Sequence, residues 1–272
     1  MFEYFHKAKA IEIKALERLE GEGRLPAPFE GERPVFSEKL RRKAEQKGLA
    51  VIAEYKRASP SQGSIALEVK PDEAALAYVK AGAAAMSILT EKSKFKGKLG
   101  FIEQAFYGGA ELFGLPILRK DFIFNPLQVT ATASTPASAM LLIVKMTPSA
   151  AQLRLLREEA EKYNIESIVE VLDEADLMIA RESGARIIQV NARDFTDLSV
   201  DLERPLGLAR RFAGEPGELW IAASGFSRPD QLRAAKNVGF TAVLAGTALM
   251  RGGNLAESLS RLTGQGPDPM SG

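Results

Sequence analysis

Short apolar runs recur along the chain, separated by longer stretches whose apolar positions return every third or fourth residue. The runs are LAVIAEYK (49–56), AAAMSILTE (83–91), LPILRKDF (115–122), SAMLLIVKM (138–146), ESIVEVL (166–172), ARIIQVN (185–191), ELWIAASG (218–225) and TAVLAGT (241–247). Most are continuous rather than alternating, which predicts parallel strands buried on both faces. Between them, PDEAALAYVKAG (71–82) opens with Pro and acids and closes on Gly, and 149–164 sets Leu153, Leu156 and Ala160 on one face. The stretches 173–184, 204–214 and 228–239 also end in glycines suited to helix C-caps. Eight strand–helix units in series predict an α/β chain folded as a (β/α)8 barrel. An open doubly wound sheet would need a glycine-rich turn after its first strand, and AEYKRASPSQG (53–63) is not one. Residues 1–48, with the helical run IEIKALERL and the Pro-rich LPAPFEGERPVF, read as an N-terminal helical extension packed on a barrel spanning 49–264. The tail 265–272 is expected to be disordered.

Composition narrows the chemistry. The 272 residues carry 36 basic and 35 acidic side chains, a net charge of +1. That balance favours neither nucleic acid nor an anionic membrane as partner. There is no cysteine and one histidine, His6, so thiolate chemistry, a Ser-His-Asp triad and a His-ligated metal are set aside. Proton transfer then falls to Lys, Asp, Glu or Tyr. The first residues are charged throughout, without an apolar signal core, and no apolar run has the roughly 20 residues of a membrane span. A cytoplasmic location is expected.

In such a barrel the active site lies at the C-terminal ends of the strands. Polar residues interrupt or end several runs there: Glu54 and Lys56 on strand one, Arg119-Lys120-Asp121 on strand three, Lys145 on strand four, Glu170 on strand five and Asn191-Ala192-Arg193-Asp194 on strand six. Glu54 and Lys56 are two apart and so share a face. If that face is the interior, Lys120 and Glu170 project into the same cup, and the four groups titrate as a coupled set able to act as acid or base. A single Lys or Glu at a strand end is ordinarily a solvated rim charge. Repetition over strands one, three, five and six is what carries the functional reading.

A second signal concerns phosphate. Ser224-Gly225 and Gly246-Thr247 follow strands seven and eight, where this fold commonly binds phosphate through backbone N–H groups and a helix N-terminus. Either glycine alone is also explained by turn geometry. Ser59-Pro60-Ser61 reads equally as a capped turn or as a mobile loop closing over substrate.

The same residues resemble the indole-3-glycerol phosphate synthase family. IAEYKRASPS resembles its strand-one signature, SILTE with Phe95 and Gly97 its strand-two region, and LRKDFI, LLIVKM, VEV, VNARD and AGTALM its strands three, four, five, six and eight. The resemblance implies ring closure of 1-(2-carboxyphenylamino)-1-deoxyribulose 5-phosphate with loss of carbon dioxide and water, in tryptophan biosynthesis. It implies Lys120 as general acid on the ketose oxygen, Lys56 on the anthranilate carboxylate and the departing hydroxyl, and Glu170 as base in the dehydration. Glu54 and Asn191 would position these groups. Ser59, Arg193, Ser224, Gly225, Gly246 and Thr247 would hold the phosphate end, and Phe95 and Phe122 would pack on the aromatic ring. No metal or organic cofactor is implied. The partner is a phosphorylated small molecule, with the chain a monomer or weak homodimer.

The sequence departs from the family pattern in places. Ala223 stands where the family usually has Glu, Ala131 where it commonly has an acid, Pro136-Ala137-Ser138 where it reads Gly-Ala-Asp, and Ala192 where it has Asn. Loss of a carboxylate at 223 is expected to enlarge the pocket and lower the lysine pKa values. Two other readings therefore stay open: another phosphosugar isomerase on the same barrel, and a phosphate-ligand-binding barrel with lost or altered catalysis.

Overall fold

The computed structural model describes residues 1–212 and 214–264, so the expectation for the tail falls outside the described residues. Each apolar run supplies one strand: β1 Ala50–Tyr55, β2 Ala85–Leu89, β3 Ile117–Ile123, β4 Ala139–Ile143, β5 Glu166–Val171, β6 Ile187–Asn191, β7 Leu219–Ala223 and β8 Ala242–Ala245. All pair in parallel, and β8 returns to β1, closing a (β/α)8 barrel. Registers such as Ile52↔Ala85, Leu118↔Ala139 and Asn191↔Ala223 fix which side chains share a level.

Strand parity divides the core in two. Ala50, Ile52, Leu118, Leu141, Ile168, Ile221 and Leu244 point inward and fill the barrel. Val51, Ala53, Met86, Ile117, Leu142, Val169, Trp220 and Val243 point outward against the helices. Both faces are buried, which is why the runs read as continuous.

The helices are α1 Phe2–Gly21, α2 Phe36–Lys47, α3 Pro71–Lys80, α4 Phe101–Ala105, α5 Pro126–Ala133, α6 Ala150–Glu161, α7 Glu174–Glu182, α8 Glu203–Phe212, α9 Pro229–Asn237, α10 Thr247–Met250 and α11 Leu255–Thr263. Two precede β1 and work at opposite ends. α2 lies under the strands' N-terminal ends: the Ser37 N–H donates to Glu166, Arg41 donates to the Gly217 carbonyl, and Phe36 and Leu40 bury in the inner cluster. α1 lies at the C-terminal ends, with Phe5 beside Phe122. The fourth run stops as a strand at Ile143; Val144–Met146 form a tight turn closed by the Thr147 N–H onto the carbonyls of Ile143 and Val144. Among the described residues no helix is long and apolar enough to cross a membrane.

Candidate active site

The inward parity of β1 and β3 carries Glu54, Lys56 and Lys120 above the apolar filling. Glu54 is buried and stands between the two ammonium groups: Lys56 Nζ is 2.5 Å from Oε1, and Lys120 Nζ is 3.6 Å from Oε2. Burial pushes the Glu54 carboxyl up, but the two lysines outweigh it and hold the group below its ordinary value. The carboxylate also lies against Gly246, where a Cβ would come within 2.1 Å of Oε1.

Glu170, at the end of β5, forms the other pole. Asn191 Nδ2 donates to its Oε1 at 3.1 Å, and Gln189 Nε2 donates to its Oε2 at 2.5 Å. Asn191 Oδ1 accepts the Arg193 N–H at 2.9 Å, and the Arg193 guanidinium donates to the Leu198 carbonyl at 2.7 Å. Glu54, Lys56, Lys120, Glu170, Asn191 and Arg193 all line one cavity of about 350 Å³. A cavity holding two ammonium groups and two carboxylates, with an apolar wall, suits acid–base chemistry on a substrate that is part anionic and part aromatic.

Ser59, Ser224, Gly225, Gly246 and Thr247, the residues expected from the sequence to hold phosphate, all line the same cavity. Ser59 is buried and its hydroxyl has no partner among the described residues. Ser224 and Gly225 are both left-handed, φ +70° and +81°. The two glycines are demanded by the chain itself: a Cβ at Gly225 would meet Val200 at 2.4 Å, and one at Gly246 would strike Glu54. The helix opened by Thr247 is four residues long. It therefore offers local donors rather than the dipole of a long helix.

Phe95 and Phe122 line the aromatic side. Phe95 is held by Glu91, a buried carboxylate that accepts from the N–H groups of Ser93, Lys94 and Phe95 at 2.7, 2.8 and 3.1 Å, and from the Ser93 hydroxyl. Gly97 lets this loop turn back, since a Cβ there would meet the Leu89 carbonyl at 2.3 Å. Phe122 shares one face with Phe5 of α1.

Some polar strand ends lie elsewhere. The Arg119 and Asp121 side chains flank Lys120 and so face outward, where Asp121 binds Lys9 and Arg119; Arg119 is off the cavity wall, while Asp121 borders it. Lys145, on the turn after β4, pairs with Asp173 and Asp176 at 3.0 and 2.9 Å and is not on the cavity wall.

Among solved structures, 3-hexulose-6-phosphate synthase is similar with a TM-score of 0.60 at 14% identity, over 79% of this chain and 99% of its own. Thiamine phosphate pyrophosphorylase from Pyrococcus furiosus gives 0.58 at 14%, over 80% and 95%. At that identity the likeness concerns the barrel alone. A family model described as indole-3-glycerol phosphate synthase matches residues 3–262. The chain belongs to the indole-3-glycerol phosphate synthase family. A synthase of that name from Desulfosudis oleivorans is 34% identical over 256 residues, covering 94% of this chain and 95% of its own. One from Chlorobium chlorochromatii is 38% identical over 244 residues, covering 89% and 91%.

In this synthase-family chain the two alanine departures sit off the cavity wall. Ala131 is buried on α5, and Ala223 is fully buried in the inner cluster. Neither of these short side chains reaches the cavity wall. Residues not picked out from the sequence include Glu91, Gln189, Phe5 and Phe195. Gln189 had a usable signal, being a polar residue inside an apolar run at the parity of Asn191. The rings of α1 had none.

Proposed function

We propose that this chain closes the indole ring of 1-(2-carboxyphenylamino)-1-deoxyribulose 5-phosphate, releasing carbon dioxide and water and giving indole-3-glycerol phosphate. The ring carbon bearing the carboxylate attacks the ketose carbonyl carbon while Lys120 donates a proton to the carbonyl oxygen. Carbon dioxide leaves and the ring electrons return. Glu170 then removes a proton as the new hydroxyl departs as water, protonated by Lys56. Glu54 aims both lysines, and Asn191 fixes Glu170. Ser59, Arg193, Ser224, Gly225, Gly246 and Thr247 hold the phosphate end; Phe95 and Phe122 flank the aromatic ring.

The observation that supports this reading is the Glu54 bridge. One buried carboxylate carries Lys56 at 2.5 Å and Lys120 at 3.6 Å on the wall of the cavity that Glu170 also lines. Two ammonium groups serve two different oxygens of one substrate, a carbonyl and a hydroxyl, and an isomerisation needs only one such donor. The test follows product fluorescence on adding the substrate. Lys120→Met is expected to lower turnover by at least about 10³-fold, the scale of a lost acid combined with lost charge stabilisation, while still binding a reduced, unreactive analogue. Absence of indole product from the wild-type chain, or full activity in Lys120→Met, overturns the reading.

A further inference from the structure

Gln189 lies in the middle of β6 and is fully buried, yet it is polar. It shares the inward parity of Asn191, two residues on. Its Nε2 donates to Glu170 Oε2 at 2.5 Å, while Asn191 donates to Oε1 at 3.1 Å. Its own Oε1 finds no partner among the described residues. A buried amide with an orphaned oxygen is costly, and an apolar side chain of the same length would pack there at less cost. The cost is therefore borne for what the other end of the amide does.

What it does is visible from the surroundings of Glu170. No Lys or Arg among the described residues pairs with this carboxylate, whereas Glu54 has two lysines. Ala223, in register with Asn191, brings only a methyl group. Glu170 therefore depends on two neutral amides, one on each oxygen. Neutral N–H donors favour the ionised carboxylate and fix its plane, as a lysine would, but without the full positive charge that would blunt its basicity. Gln189 does not line the cavity, so it acts on substrate only through Glu170.

We propose that Gln189 is a positioning residue of the reaction: with Asn191 it clamps the Glu170 carboxylate, one amide on each oxygen, in one orientation toward the substrate. This rests on Glu170 being the base. The test compares Gln189→Met, nearly isosteric and unable to donate, and Gln189→Glu with the wild type, measuring kcat and KM across pH together with thermal stability. Removing the donor makes protonation of Glu170 easier, so the acid limb of the kcat profile moves to higher pH by about one unit in Gln189→Met. In that variant kcat falls about tenfold, with KM within about twofold, on the scale of one lost charge-assisted hydrogen bond. Gln189→Glu, which sets a second carboxyl against Glu170, moves the limb further the same way. Stability of Gln189→Met is expected to hold, because the orphaned oxygen goes with the amide. An unmoved acid limb and wild-type kcat in Gln189→Met overturn the proposal, as does a fall in melting temperature with no change in the limb. Glu170→Gln separates the two claims: if it keeps wild-type turnover, the assignment of the base has failed. If it is inactive while Gln189→Met behaves as wild type, only the clamp has failed.

Discussion

Phe5 and Phe122 lie face to face, ring centroids 3.6 Å apart and planes 11° from parallel. They are far apart in sequence, one on the first helix and one on β3, two residues past Lys120. Phe195 packs on Phe2 of the same helix at 4.8 Å, and Phe195 and Met1 both border the cavity. The first helix is thus part of the roof over the cup. Truncating a buried Phe typically costs about 3–5 kcal/mol. Phe5→Ala is expected to lower the melting temperature and to raise KM more than it lowers kcat, because Phe122 loses its backing while the lysines stay in place. Thermal denaturation and steady-state kinetics check this, and an unchanged KM would make the stacking purely structural.

The same helix is tied to β3 by charge. Lys9 is almost wholly buried and reaches Asp121 at 2.7 Å; Arg119 and the Thr90 hydroxyl bind the other oxygen at 3.0 and 2.7 Å. Burial pushes the Asp121 carboxyl up, but Lys9 and Arg119 prevail and bring it down to about 2. A carboxyl whose pKa is lower folded than unfolded stabilises the fold fully above its ordinary value of 3.8, and the contribution fades as pH falls toward about 2. Acid unfolding is expected to show a component in that window. Asp121→Asn should remove the component and destabilise the protein at neutral pH, since Lys9 and Arg119 then share only the more exposed Glu12 as counter-charge. Melting curves between pH 2 and 7 test it; identical pH dependence in variant and wild type would refute it.

What the sequence showed was what strand parity encodes. Glu54 with Lys56, Lys120 with Phe122, and Glu170 each follow from position within an apolar run, and the runs themselves gave all eight strands. The Phe5 stacking and the Lys9–Asp121 pair join residues more than a hundred positions apart, and no local pattern reports such contacts. Glu91 was readable only as the end of a strand, because its role is to fold the four residues after it. The glycines were ambiguous for a physical reason: a Gly that admits an anion and a Gly that admits a neighbouring side chain look alike in sequence. Only the coordinates show Val200 beside Gly225 and Glu54 beside Gly246.

Gly246 offers a sharp test of the Glu54 bridge. A methyl group there would fall 2.1 Å from Glu54 Oε1 and 2.8 Å from its carboxyl carbon, so the carboxylate has to move. Moving it loosens its hold on Lys56 and Lys120 together. Gly246→Ala, at a position whose φ of −131° lies outside the left-handed region that favours glycine, is expected to lose about 10²-fold in turnover, the scale of an ångström-sized misplacement of catalytic groups. Circular dichroism and kcat measured on the same sample check this. Wild-type turnover would mean that the Glu54 geometry does not matter to the chemistry.

Position 223 tests the charge balance of the whole cup. Ala223 is at the end of β7, pointing inward, in register with Asn191 on one side and Leu244 on the other. A glutamate placed there extends toward the open end of the barrel and adds a negative charge to a site whose groups interact. Its effect on the two poles has one sign on the pH axis: it favours charged Lys56 and Lys120, moving the basic limb up, and it opposes ionised Glu170, moving the acid limb up. For charges roughly 10 Å apart at an effective dielectric constant of about 20, the interaction is about 1.7 kcal/mol, or about one pH unit. Ala223→Glu is therefore expected to carry the entire pH–rate profile upward by about a unit rather than to broaden or narrow it. A profile that widens would show that only the lysines respond, placing the new carboxylate on their side of the cup. A profile that does not move would mean that the charge at 223 is neutralised where it stands.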